Sequence, residues 1–580
     1  MSELFDDKIN QIFQNAFEML GYNTQHAKVV LSSRPELGHF QCNAAMSLAK
    51  EVGKNPLEIA NHIVELITKN EWFTNINIAR PGFINFSVSS DYLADWCNQL
   101  VLDHRSGCPI VANKKKVVID FGGPNIAKPM HVGHIRSTVI GDCLQRLYRF
   151  CGDEVISDIH LGDWGTQMGM LIEAMKKKMP EADYFNDAFE YDYPDSSPVT
   201  VDELAALYPQ AAALCKADEI EMQKARTSTL ELQKKKRGLV ALWTHFSRIS
   251  IESLKKDFNE LGVTFDLWNG ESTVHDLAER LIERLIENKT AVESNGATII
   301  ELEEDMPPLI LKKSDGAFMY GTTDLATIVE RVNTINPDLI LYVVDKRQSL
   351  HFKQVFQAAK KCQLADSVIL EHVGFGTVNG SDGKPFKTRG GGTMSLKDLI
   401  KEAKVNAGSR FNNIDIDENL KNDIVNKIAL STLKIADLSN PRISDYIFDL
   451  NVASQFEGKT GPYLLYSAVR IKSMLQKANN LNQNDLKILP AVNLLEENLQ
   501  LTFTKLPKAI GTAYTKFEPH HLCDFAFELA SAYNRFYASC NVLTEENLVI
   551  RNSRLAMSAL TLKQMLLTFD ILGLEVPDRM

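Results

Sequence analysis

Residues 117–152 constrain the fold of this chain more than any other stretch. Val117-Val118-Ile119-Asp120-Phe121 reads as a short buried strand, and Gly122-Gly123-Pro124 breaks it. Ile135, Val139, Cys143 and Leu147 then fall on one stripe of a helix that ends near Gly152. Strand, glycine turn and helix in that order form the opening unit of a parallel sheet covered by helices. Later β-like runs at Ile299-Ile300-Glu301-Leu302, residues 339–344 and Val368-Ile369-Leu370 extend the pattern, with helical stretches at 324–332 and 352–361.

The flanks have a different character. Ile9, Ile12, Phe13, Ala16, Phe17 and Leu20 recur every three or four residues, and Gly21 suits a helix C-cap. A second helix is predicted over residues 56–68 with Pro56 in its first turn, and Phe83-Ile84-Asn85-Phe86 alternates like a strand. Gly107, Pro109 and Lys114-Lys115-Lys116 mark a linker after this module. Residues 182–293 read as a largely helical, charged insertion. After Leu396 strand signals vanish, and helical periodicity over 417–475 and 505–573 predicts a bundle, with Leu464, Ala468, Ile471 and Leu475 on one face. A chain of 580 residues needs several cores, because single cores stop growing near roughly 250–300 residues. The expected organisation is α/β. An N-terminal α+β domain spans 1–110, a Rossmann-like parallel-sheet domain 111–396, and a C-terminal all-α helical bundle 397–580.

Composition narrows the function classes. No apolar run approaches the roughly 20 residues needed to cross a bilayer. The opening Met1-Ser2-Glu3-Leu4-Phe5-Asp6-Asp7 is acidic, unlike a signal peptide. The nine cysteines form no CxxC pair, which points away from zinc knuckles and disulfide frameworks. A cytoplasmic protein with reduced thiols and no membrane partner is expected. A net charge of −11 argues against a nucleic-acid coat but leaves room for a local basic surface. Lys114–Lys116, Lys176-Lys177-Lys178 and Lys234-Lys235-Lys236-Arg237 are candidate pieces of such a surface, although for any one run a solvated helix end or loop is the better explanation.

The chemistry concentrates at the strand-to-helix turn, where open α/β sheets bind ligands. A helix N-terminus there offers unpaired N–H groups and a positive dipole to phosphates. His131 and His134 could donate hydrogen bonds to a triphosphate as charge moves onto leaving pyrophosphate. Gly133 between them leaves space for a nucleoside. Two other readings stay open, metal ligation without a nearby third ligand and ordinary capping.

The run Pro124-Asn125-Ile126-Ala127-Lys128-Pro129-Met130-His131-Val132-Gly133-His134-Ile135-Arg136-Ser137-Thr138 resembles the signature of arginyl-tRNA synthetases, with their version of the class I HIGH motif. The resemblance continues, in the family's order, through Gly162-Asp163-Trp164-Gly165-Thr166-Gln167, Gly270-Glu271-Ser272, Phe386-Lys387-Thr388-Arg389, Gly458-Lys459-Thr460-Gly461-Pro462-Tyr463 and Pro577-Asp578-Arg579-Met580. It implies activation of L-arginine by ATP, with Mg2+ accompanying the nucleotide, and transfer to tRNA(Arg) by a monomer holding no metal of its own. His131, Gly133, His134 and Lys387 are implied ATP-binding residues, and His131, His134, Lys128, Lys387 and Arg389 the catalytic set. Asp120, Tyr320 and Asp324 would hold the arginine side chain, because guanidinium pairs with carboxylates. Asn125 and Gln348 would bind its α-amino or carboxylate end. The tRNA would meet Phe83 and Asn85 at the N-terminal domain, and Tyr463, Tyr466, Arg470, Tyr533 and Met580 at the bundle.

The alternatives at these positions are structural. Asp324 could cap a helix over 325–332, Asp120 could be a turn residue, and Tyr320, Phe83 and the bundle aromatics could be core. Two departures from the family pattern are visible. Gly122-Gly123 replace serines found in many members, which leaves α-amino contact to backbone carbonyls. The KMSKS-type loop reads Gly383-Lys384-Pro385-Phe386-Lys387-Thr388-Arg389-Gly390-Gly391-Gly392 and lacks its last lysine, a charge that Lys128 could supply. Rival readings are a synthetase for another amino acid, a synthetase-like protein without catalysis, and an adenylyl-transferring enzyme without tRNA.

Overall fold

The computed structural model describes residues 4–580 except 33, 304–305, 314–317, 381, 384–393, 412–416 and 479–486. Two compact units emerge. One comprises residues 1–112, 463–570 and 576–580, and the other 113–462 with 571–575. The boundary expected at 396/397 therefore moves. Helices Leu396–Gly408 and Glu418–Leu438 pack within the sheet unit, and residues 463–570 group with the N-terminal module instead. Helical periodicity reports which face a helix buries and not which core receives it.

The sheet unit is built on four parallel strands in the spatial order Ile369–His372, Leu339–Val343, Lys116–Phe121, Glu154–Asp158. From the central pair the chain leaves in opposite directions. Helix Gly133–Cys151 leads to one edge and helix Ser349–Lys361 to the other. Such a topological switch opens a crevice at the carboxyl ends of the central strands. The run expected at 299–302 is a strand, Ala297–Ile300, but it belongs to a separate antiparallel sheet with Val292–Ser294 and Leu309–Lys312. The insertion is helical as expected, with helices Val201–Ala217, Glu219–Gln233, Arg237–Glu260 and His275–Glu287. A two-residue strand, Tyr446–Ile447, pairs with Val378–Asn379 beyond the point where the sequence showed none.

In the other unit a four-stranded antiparallel sheet is flanked by helices Phe5–Leu20 and Pro56–Ile67. Gly21 ends the first in the left-handed region at φ 69°, as the sequence anticipated. Helix Ser90–Leu102 ties this module to the helices of the same unit. The Asn98 amide donates to Ile488 O and its Oδ1 accepts from Ile488 N, both at 2.8 Å. Among the described residues no disulfide joins cysteines, and no helix is long and apolar enough to cross a membrane.

Helix Gly133–Cys151 lies very close to its strand because Gly141 has no side chain. A Cβ there would sit 2.1 Å from Phe121 Cγ. Overpacking of this kind costs typically about 1–3 kcal/mol. Gly141→Ala should therefore lower the melting temperature of the sheet unit, read by calorimetry, and an unchanged melt would show that the helix can shift away freely.

Candidate active site

Ser137 fixes the crevice. Its Oγ accepts the Gly122 N–H at 2.8 Å and donates to Val343 O at 2.7 Å, so one hydroxyl joins the glycine turn, the helix and the neighbouring strand end. Gly122 and Gly123 take φ of 87° and 30°, a region that side-chain-bearing residues avoid. Ala127 is also left-handed at φ 59°, and its N–H is held by Ser250 Oγ of the insertion at 3.0 Å. Strain of this kind persists only where surrounding bonds enforce it.

Two cavities open here. The larger, about 420 Å³, lies against His131, Gly133, His134, Asp345, Gln348 and Phe375. The smaller, about 240 Å³, lies against His160, Tyr320, Asp324, Thr327, His351 and Phe352. Asp120, Gly123, Val344 and Gln348 line both. The expected residues Asp120, His131, Gly133, His134, Tyr320, Asp324 and Gln348 are thus brought together from four separate segments.

The two histidine rings lie against each other, tilted by 36°, with centroids 4.0 Å apart. His131 Nδ1 accepts the Gly133 N–H and His134 Nδ1 accepts the His131 N–H, both at 3.1 Å. Burial pushes the His134 imidazole down to about 3, with His131 adding to the effect. Burial, then Lys128, lowers His131 as well. Both rings are therefore neutral with the proton on Nε2, a donor with no net charge to desolvate. The space a Cβ on Gly133 would take is filled by the His131 ring, 2.8 Å away, so in this geometry the glycine serves the histidine before any nucleoside.

Helix Tyr320–Thr334 places Tyr320, Asp324, Thr327 and Arg331 on one stripe. It begins at Tyr320 with no side-chain cap, so Asp324 lies in its second turn and is not a cap. Asp324 Oδ2 pairs with His351 Nε2 at 2.5 Å. His351 is a residue the sequence reading missed, since no motif contains it. Glu271 was also missed as a functional group, although Gly270-Glu271-Ser272 stood out. Asp163 accepts the Ser272 N–H at 2.9 Å and its hydroxyl at 2.6 Å, fixing that turn. Burial, then Asp163 and Asp324, push the Glu271 carboxyl up to about 7, and Glu271 in turn helps raise Tyr320.

Several expected residues fall elsewhere. Asp120 is not an unpaired carboxylate, because its Oδ2 is 2.6 Å from Arg331 Nη2. Asn125 lines neither cavity and lies against Gly162, where a Cβ would meet its Oδ1 at 2.0 Å. Lys128 is exposed, 6.0 Å from the Tyr208 ring centroid. Lys387 and Arg389 lie outside the described residues. Asn85 is fully buried, its Oδ1 accepting from Gln41 at 2.9 Å, so it cannot present an edge to a base. Tyr533 is fully buried and donates to Ser558 at 3.2 Å, which makes it core. Phe83 is half-buried, Tyr466 is exposed, and the Arg470 guanidinium lies 4.4 Å from the Tyr537 ring centroid. Tyr463 and Met580 keep partial exposure.

The comparisons with known proteins follow this geometry. Residues 97–450 match the family described as tRNA synthetases class I (R), catalytic domain. Residues 3–88 match the arginyl tRNA synthetase N terminal domain, and 464–580 the DALR anticodon binding domain. The chain belongs to the arginyl-tRNA synthetase family. An arginine-tRNA ligase of Francisella tularensis subsp. novicida is 48% identical over 583 residues, covering 99% of this chain and 100% of the relative. One from Alkaliphilus oremlandii is 41% identical, with 100% of both chains covered. The crystal structure of arginyl-tRNA synthetase from Plasmodium falciparum superposes with a TM-score of 0.81 at 27% identity, over 100% of each chain. The Thermus thermophilus arginyl-tRNA synthetase shares the fold, with a TM-score of 0.74 at 19% identity and the same coverage. In this synthetase, burial and the Nδ1 contacts favour the neutral Nε2–H form of the histidine pair. Carbon-13-labelled histidine NMR should show His134 neutral throughout pH 8 to about pH 4, because its pKa is pushed down to about 3. Protonation between pH 6 and 7 would contradict the burial of that ring.

Proposed function

We propose that the smaller cavity holds L-arginine and the larger one ATP, meeting at their common wall. The chain is an ATP-dependent arginine-tRNA ligase. It converts L-arginine and ATP to arginyl-adenylate and pyrophosphate, then transfers arginine to the 3′ end of tRNA(Arg) and releases AMP. The observation that carries the substrate assignment is the shared lining of Asp120, Gly123, Val344 and Gln348. Activation joins the arginine carboxylate to the α-phosphorus, so the amino acid's α-end must lie where the two cavities touch. The guanidinium then reaches the far end, beside Asp324 and Tyr320, with Glu271 close enough to act on both electrostatically. On this reading Asp120 meets the α-ammonium, not the guanidinium. Gln348 contacts the same end.

Attack by the carboxylate moves negative charge onto pyrophosphate. The Nε2–H groups of His131 and His134 and the start of helix Gly133–Cys151 offer fixed donors to that charge. Lys128, Lys387 and Arg389 add cationic charge, and Mg2+ travels with the nucleotide. Paired carboxylates select a planar, five-donor guanidinium well enough that no hydrolytic second site is assigned to the insertion. The tRNA contacts are proposed at Phe83 on one module and at Tyr463, Tyr466, Arg470 and Met580 on the helices, where aromatic and guanidinium faces suit stacked bases. A cytoplasmic monomer is the proposed state.

Removing one partner of a buried charge pair costs about 2–5 kcal/mol, so Asp324→Asn should lower kcat/KM for arginine at least about thirtyfold. The ATP KM should stay within about twofold, and an unchanged arginine constant would make the carboxylate structural. Glu271 adds a pH test. Its carboxyl, pushed up to about 7, is charged only above that pH and must be charged to hold guanidinium. In steady-state charging, kcat/KM for arginine should rise as pH increases through about 7 and then level off. Glu271→Gln should lower kcat/KM and remove that rise, and a rise that persists in the variant would belong to another group.

A further inference from the structure

Beneath the common wall lies a buried charge cluster. The parallel register sets Tyr342, Asp120 and Asp158 side by side across three strands, so their side chains share one face of the sheet. Arg331 covers that row from the last turn of helix Tyr320–Thr334. Its Nη2 lies 2.6 Å from Asp120 Oδ2 and 2.7 Å from Asp158 Oδ2, and its guanidinium carbon 5.5 Å from the Tyr342 ring centroid. Arg331 is 1% exposed. The Asp120 side chain keeps 13% exposure, and that remainder faces the two cavities it lines. The helix that offers Asp324 to the substrate thus carries its own arginine two turns further on, against the opposite end of the pocket.

We propose that Arg331 is a positioning residue for arginine binding: it fixes the Asp120 carboxylate, through which the substrate's α-ammonium is held. The inference rests on the reading that Asp120 meets the α-ammonium. Buried charges persist only when paired, and two neighbouring carboxylates disfavour each other's ionisation. Burial pushes the Asp120 carboxyl up; Arg331 is the strongest influence pulling it back, helped by His160 and opposed by Asp158. Burial works against Asp158 too, but Arg331 and His160 prevail and hold it below the ordinary range. The groups facing Asp120 are therefore Arg331 from the helix, Asp158 and His160 from the neighbouring strand and the loop after it, and Tyr342 from the other. One nitrogen, Nη2, bridges the two carboxylates, and a lysine would bring the charge without the planar face that lies over Tyr342.

The test compares Arg331→Met and Asp120→Asn with the wild-type chain. Charging is measured from pH 6 to pH 9 at saturating ATP and tRNA, beside inhibition by guanidinopentanoate, an arginine analogue without the α-amino group. Arg331→Met should lower kcat/KM for arginine at least about thirtyfold near neutral pH, the scale of losing a buried charge contact. Part of the loss should return toward pH 9, as Asp120 regains its charge. Inhibition by guanidinopentanoate should stay within about threefold, because that ligand makes no ammonium contact. An equal loss for arginine and the analogue, or a lower melting temperature with an unaltered pH profile, overturns the proposal. If Arg331→Met does not fold, Arg331→Met combined with Asp158→Asn removes the unpaired second carboxylate and should show the same selective loss. Wild-type arginine use in that double variant, or its failure to fold as well, leaves the Arg331 bridge purely structural and overturns the proposal. Asp120→Asn separates the two readings. Unimpaired arginine use there defeats the assignment of Asp120 itself, whereas impairment there with a normal Arg331→Met defeats only the role of Arg331.

Discussion

The parallel pairing of strand Lys116–Phe121 with strand Leu339–Val343 is the contact on which the site depends. Five register pairs, from Val117 with Leu339 to Phe121 with Val343, join segments separated in sequence by the whole insertion. Because the chain departs from this pair toward opposite edges, no crossover helix covers the strand ends between them, and the crevice remains open. Asp120 and the glycine turn lie on and just after one strand, and Val343, Val344 and Gln348 at and just after the end of the other. Ser137 then locks the two ends together through one hydroxyl.

Electrostatics within the crevice follow from burial. Burial favours the neutral forms of His131 and His134, so at the start of the helix they offer oriented dipoles without repelling Lys128 or one another. The opposite end collects acidic groups instead. Asp324 with its histidine partner and Glu271 with its raised carboxyl make a region that a cation relieves. On the proposed assignment of this cavity to arginine, such a region suits a guanidinium and disfavours neutral side chains of the same length. Between the two ends, one guanidinium, Arg331, is shared by two carboxylates, Asp120 and Asp158, so with both ionised this layer keeps a net negative charge before a substrate arrives.

Most of the lysines in the basic runs are held in surface ion pairs. The lysine run at 176–178 pairs with Glu173, Glu221 and Glu203, and Lys235 and Lys236 pair with Asp276 and Asp187. Lys114 and Lys116 approach Glu154. The solvated, salt-bridged reading of those runs is the one the structure supports, and a stack such as Arg470 over Tyr537 is a better guide to an RNA-facing surface than lysine count.

The sequence alone was sufficient for the α/β class, the strand–turn–helix opening, the histidine pair and the stripe that puts Tyr320 and Asp324 on one helical face. These are local features, written in hydrophobic period and in residues only a few positions apart. Only tertiary structure decided what required distant segments to meet. Pairing with Arg331 moved Asp120 from a carboxylate waiting for guanidinium to one already engaged. Burial withdrew Asn85 and Tyr533 from any RNA contact, and packing assigned the helices at 396–438 to the sheet unit. His351 lines the smaller cavity, and Glu271 acts electrostatically on Asp324 and Tyr320, only because distant segments meet; a side chain's charge state and partners depend on what the fold places beside it, which one-dimensional spacing does not encode.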